Sequence, residues 1–98
     1  MKPSLIAPIA LVCLALAGCM PGTKERMMQR GFDAAYSQGY EDGVASGKNA
    51  AGGLGYQLKK DTRSFANDAQ YRQGWSDGYD AGKTQELEWQ KQLKKTAK

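Results

Sequence analysis

One motif occurs twice in this chain, 35 positions apart, and it restricts the fold more than any other feature. The first copy runs from Tyr36 through Gly39, Tyr40, Asp42, Gly43 and Gly47 to Lys48. The second runs from Tyr71 through Gly74, Trp75, Asp77, Gly78 and Gly82 to Lys83. The shared pattern is Tyr-x-Gln-Gly-aromatic-x-Asp-Gly-x3-Gly-Lys. Asp33-Ala34 and Asp68-Ala69 extend it to the left, giving repeats 33–48 and 68–83. Two like units in one short chain predict a pseudo-symmetric pair packed on each other.

Asp-Gly between aromatic residues can mark a hairpin turn of strands, and glycine inside a helix costs about 1 kcal/mol relative to alanine. The period decides between strand and helix. Small residues fall at every fourth position in Gly31, Ala35, Gly39, Gly43, Gly47, Ala51 and Gly55, and again in Gly74, Gly78 and Gly82. Aromatic residues sit one place later, at Phe32, Tyr36 and Tyr40 before Val44, and at Trp75 and Tyr79. Strands would need a period of two. The spacing therefore predicts helices, each with a small-residue ridge beside an aromatic wall.

The candidate packing residues are Gly39, Gly43, Gly47, Gly74, Gly78 and Gly82, with Tyr36, Tyr40, Tyr71 and Trp75. Such ridges allow close helix approach of the small-x3-small kind. Glu41, Asp42, Asp77, Asp80, Lys48 and Lys83 make these helices too polar for a bilayer. Helices so rich in glycine depend on contact with a neighbour for their stability.

Between the repeats, Ala50-Ala51-Gly52-Gly53-Leu54-Gly55 predicts a break, with Tyr56, Leu58 and Phe65 covering the core from the connection. Asn67 or Asp68 suits an N-cap. The second helix is expected to continue through Gln85 to Leu93, with Trp89 and Leu93 on one face. Met27 and Met28 are expected to start the first helix, after a tether from Pro21 to about Arg26.

The chain starts with Met1-Lys2, an apolar run from Leu5 to Leu16, and then Leu16-Ala17-Gly18-Cys19. The run is well short of the roughly 20 apolar residues that span a bilayer. Small residues directly before a cysteine resemble the lipobox of bacterial lipoproteins. The resemblance covers the first twenty residues. It implies cleavage after Gly18 and a mature chain that begins at Cys19, with diacylglycerol on its sulfur and a further acyl chain such as palmitate. In that family, Asp after the cysteine favours retention in the inner membrane. Met20 in its place implies the outer membrane, facing the periplasm, in a two-membrane host.

Removing residues 1–18 leaves 80 residues, enough for one small domain. Cys13 leaves with the signal and Cys19 carries lipid, so no disulfide is expected. There is no histidine in the sequence. That excludes a Ser-His-Asp triad, a Cys-His pair and histidine ligation of zinc within the chain. Basic residues gather near the C-terminus at Lys91, Lys94, Lys95 and Lys98. They suit a solvated helix end or anionic envelope polymers and headgroups better than nucleic acid.

Gly78 to Thr84 superficially suggests a phosphate loop, but that loop has four residues between its glycines and this segment has three. Asp42 with Glu41, and Asp77 with Asp80, could form a carboxylate cluster if the helices packed antiparallel. The periodic segment lacks the irregular turn of a calcium loop. Asp42 and Asp77 are expected to meet lysines or solvent. Trp89 is a candidate glycan contact, and so is Lys98. A lipidated start with a terminal lysine also resembles the Braun-type murein lipoprotein, although the heptad pattern of that family is missing.

The repeats themselves resemble small envelope lipoproteins with Gly-Tyr-x-Asp-Gly helical motifs, a likeness that brings no assigned activity. These readings predict a mainly α fold, a small helical hairpin of two pseudo-repeat helices with a Gly-rich connection. The expected segments are a signal peptide at 1–18, a lipidated tether at 19–26 and the hairpin domain at 27–96. The expected function is that of a membrane-anchored, non-enzymatic accessory or structural subunit of an envelope assembly, with a protein partner or self-association. The alternative is a peptidoglycan- or glycan-binding module that uses the basic C-terminal helix. No catalytic residue, metal or cofactor is expected beyond the covalent lipid on Cys19.

Overall fold

The structure is a computed structural model that describes residues 22–96. The signal segment, Cys19 and Lys98 lie outside the described residues. Four helices follow one another: α1 (Thr23–Gln29), α2 (Ala34–Ala50), α3 (Thr62–Asn67) and α4 (Ala69–Thr96). The fold is mainly α, and the two repeat helices, α2 and α4, form its packed pair across the Gly-rich connection. No helix among the described residues is long and apolar enough to cross a membrane.

Both repeat helices begin at the aspartate that opens each repeat. Asp33 Oδ1 accepts from the Tyr36 N–H at 2.7 Å. Asp68 Oδ1 accepts from the N–H groups of Gln70 and Tyr71, at 2.9 and 3.2 Å. These bonds satisfy donors that the first turn leaves free.

The arms of the pair run in the same direction. Gly39 faces Tyr71 and Trp75, Gly43 faces Trp75 and Tyr79, and Gly47 faces Tyr79 and Lys83. Reciprocally, Gly74 faces Tyr36, Gly78 faces Tyr40 and Gly82 faces Val44. Each step of four along α2 is a step of four along α4 in the same sense. The antiparallel convergence considered for the carboxylates therefore does not arise. The two repeats instead meet in register about a local pseudo-twofold axis parallel to the helices.

A parallel pair requires the connection to return along the whole of α2. Gly52 and Gly55, with φ of 88° and 84°, turn the chain back, and residues 56–61 then descend along the pair. Ser46 fastens this segment. Its Oγ accepts from the Lys59 N–H at 2.8 Å and lies 2.7 Å from the Lys59 carbonyl oxygen. That carbonyl also accepts from Trp75 Nε1 at 2.8 Å. The Lys60 ammonium sits 3.8 Å from the Phe65 ring centre and 4.7 Å from that of Trp75. The connection also contains a helix the sequence reading lacked, α3, capped by Asp61 through the Ser64 N–H at 3.0 Å.

Several local expectations are corrected. Residues 23–26 belong to α1 rather than to a tether, so the folded part starts before Met27. The Lys24 N–H donates to Glu41 Oε2 at 2.9 Å, and Met27 is buried against the pair. Gly31 leaves the small-residue ridge: at φ 100° it forms the turn between α1 and α2. Gly55 and Ala51 likewise lie beyond the end of α2. Of the three residues expected to cover the core, Phe65 does so, edge-on to Trp75 at 5.6 Å. Leu58 and Tyr56 are exposed.

Candidate functional site

The repeated residues form one interlocked device between α2 and α4. The Tyr36 hydroxyl donates to Asp77 Oδ2 at 2.6 Å, and the Tyr71 hydroxyl donates to Asp42 Oδ2 at 2.7 Å. Each tyrosine thus reaches the aspartate of the other repeat. Within each repeat, glutamine holds the second carboxylate oxygen. Gln38 Nε2 donates to Asp42 Oδ1 at 3.0 Å, and Gln73 Nε2 donates to Asp77 Oδ1 at 2.9 Å. Asp42 and Asp77 were expected to meet lysines or solvent; they accept from tyrosine because the parallel register sets each beside the opposite ring.

The glycines make this reach possible. A Cβ on any of the six would strike the partner helix's backbone, with atoms of the facing peptide within 3.0 Å. The facing carbonyls lie where side chains would otherwise project, which is the arrangement of Cα–H···O contacts. All six glycines are buried. Among the described residues, the buried apolar side chains are only Met27 and Tyr71. Backbone contact and the Tyr–Asp bonds therefore contribute an unusual share of the cohesion.

The device is not fully symmetric. Tyr71 is 3% exposed, and its hydroxyl also accepts from the Asp61 N–H at 2.9 Å. Burial, assisted by Asp77, pushes the Tyr36 hydroxyl up to about 12. Burial likewise raises Tyr71 to about 12, with Asp42 adding to the rise and the Asp61 N–H opposing it. Both hydroxyls are strongly held as proton donors rather than poised for proton transfer near neutrality. Tyr36 stacks between Phe32 and Tyr40, at ring-centre distances of 4.8 and 6.2 Å. Trp75 stacks on Tyr79 at 5.1 Å.

Beyond residue 85, α4 continues without α2 beside it. An open groove of about 580 Å³ lies where α2 ends, lined by Lys48, Leu54, Tyr56, Glu86, Trp89 and Leu93 among others. Trp89, 59% exposed, is in this groove. Glu86 is buried there and accepts from Gln90 Nε2 at 3.1 Å. The sequence reading missed Leu54, Tyr56 and Glu86 as neighbours of Trp89; the double glycine before Leu54 was the available signal for a reversal. It also missed Ser46, whose counterpart in the second repeat is Ala81.

The chain matches no known protein family, no curated protein and no solved structure.

Proposed function

We propose that this chain is a lipid-anchored, non-enzymatic lipoprotein of the bacterial envelope, working as an accessory or structural subunit. The observation that carries the non-enzymatic part is the use of the repeat's own chemistry. Its tyrosines, glutamines and aspartates are bonded to one another, and its glycines are covered by the opposite backbone. The glycine ridges serve packing within the chain. Contact with a partner then falls to other surfaces, among them the unaccompanied end of α4, which exposes Leu87, Trp89 and Leu93. The lipid anchor rests on Leu16-Ala17-Gly18-Cys19.

Mass spectrometry of the chain purified from a bacterial host's envelope tests the anchor. The expected N-terminus is an acylated Cys19, with loss of the acyl mass and of maturation in Cys19→Ala. An unmodified mature N-terminus elsewhere would contradict it. In-cell crosslinking with partner identification tests the subunit role. Co-sedimentation with purified peptidoglycan, abolished by removing residues 87–96, would instead support a glycan-binding module.

A further inference from the structure

The N-terminal end of the folded part and the free end of α4 lie toward the same pole of the molecule. After its start at Thr23, α1 runs back along α2 to the turn at Gly31, so its first residues point toward the C-terminal ends of the pair. The Lys24 N–H meets Glu41. Thr23 and Met27 share a surface depression with Val44, Lys48 and Gln85. Three peptide units separate Gly22 from Cys19, a reach of about 10 Å. From Gln85 onward α4 projects eleven further residues to Thr96, about 16 Å at 1.5 Å per residue. A chain held to a bilayer at Cys19 on so short a leash keeps this projecting end within reach of the bilayer.

The chemistry of that end suits such a surface. Trp89 and Leu93 are 59% and 47% exposed and share their groove with Leu54, 96% exposed, while Leu87, 41% exposed, lies on another side of the helix with Lys91 and Lys94. Lys91, Lys94 and Lys95 occupy the same segment, where the acidic residue Glu88 is already paired with Lys91 at 3.4 Å. Tryptophan, leucine and lysine on one short helical segment are the composition of an interfacial helix, and lysines gain from anionic headgroups.

We infer that the end of α4, residues 87–96, lies in the headgroup layer of the anionic bilayer to which Cys19 anchors the chain. This rests on the lipid-anchor reading above. The helix pair is thereby held by two points, the acyl chains and the α4 end, which fixes the orientation that the domain presents to a partner.

The test uses the full mature, acylated chain in vesicles of phosphatidylethanolamine and phosphatidylglycerol. Cys19 is blocked by lipid and Cys13 is removed with the signal, so one nitroxide can be placed at Leu93→Cys or, at the opposite pole, at Asn67→Cys. Accessibility to oxygen and to a nickel chelate is then measured. The inference predicts that position 93 has an oxygen-to-nickel ratio several times that of position 67. The ratio should fall when Lys91, Lys94 and Lys95 are replaced together by glutamate, or when the vesicles are purely phosphatidylcholine. Equal, water-like ratios at both positions in a chain with its acyl mass intact would overturn the inference and leave the anchor standing. A missing acyl mass would overturn both. Water-like accessibility at position 93 that drops only on adding purified peptidoglycan would assign the surface to glycan and overturn the bilayer assignment.

Discussion

Gly43→Ala is the most informative single substitution, because propensity and packing predict opposite signs. In an isolated helix the change is favourable by about 1 kcal/mol. In the folded chain, the new Cβ would press on the Trp75 carbonyl oxygen and stand 2.8 Å from the Tyr79 nitrogen and 2.9 Å from the Trp75 carbonyl carbon. Ordinary contact begins at 3.4 Å. The backbones must therefore part by more than half an ångström at this seat, and neither can rotate away as a side chain would. Helices move as rods, so neighbouring seats open too. Loss of about four Cα–H···O contacts removes about 2–4 kcal/mol. Stretching the Tyr71–Asp42 bond removes about 1 kcal/mol more. Set against the propensity gain, the net destabilisation is about 2–4 kcal/mol, a large part of the roughly 4–11 kcal/mol expected for a domain this size. Thermal unfolding followed by circular dichroism should show Tm lower by about 10–25 °C. A variant that melted at or above wild type would refute backbone-on-backbone packing at Gly43, and Gly43→Leu should be worse still.

Other perturbations separate the parts of the device. Tyr71→Phe should cost about 2 kcal/mol and Tyr36→Phe about 1 kcal/mol, since only Tyr71 has a second bond, from Asp61; urea melts resolve the order, and equal losses would contradict it. Both hydroxyls have folded values raised from 10 to about 12, so the folded state binds their protons more tightly than the unfolded state. Their stabilisation is complete below pH 10 and is lost as pH rises toward 12, so the urea midpoint should fall over that window and do so less in Tyr36→Phe. Ser37 is fully buried, and its Oγ finds no hydrogen-bond partner among the described residues. Ser37→Ala should therefore raise stability by about 1 kcal/mol in the same melts. Ser46→Ala removes the fastening of the connection and should accelerate amide exchange at Lys59 well beyond that in the centre of α2.

The helices were legible because the small and aromatic ridges recur at every fourth position without the period-two alternation of a half-buried strand, and Asp68 was one of the two residues expected to cap the second. Direction was harder to read. Glycine ridges admit close approach in either sense, and nothing within Gly39 to Gly47 distinguishes them. The discriminating signal lay elsewhere: the stretch between the helices is far longer than a tight helical turn needs. The Tyr–Asp bonds were illegible because they are pairings across helices, fixed by the register in which the two repeats meet. Residues 23–26 read as a tether because a seven-residue helix has too few positions for a periodic signal. Its stability comes from Met27 and the Glu41 carboxylate, both contacts with distant sequence. Leu58 was expected to cover the core from its apolar character, yet the glycine seats leave almost no side-chain gap there to fill.

The central claim is that the two repeats lock into a parallel pair. Nitroxides at Ala34→Cys and Ala69→Cys, two exposed positions at the starts of α2 and α4, measure it directly by pulsed electron–electron resonance. The parallel pair predicts a short distance, set by the separation of two touching helices and the label arms. An antiparallel pair would place these positions apart by the length of α2, about 25 Å along the axis. A dominant distance population at that longer value would contradict the account.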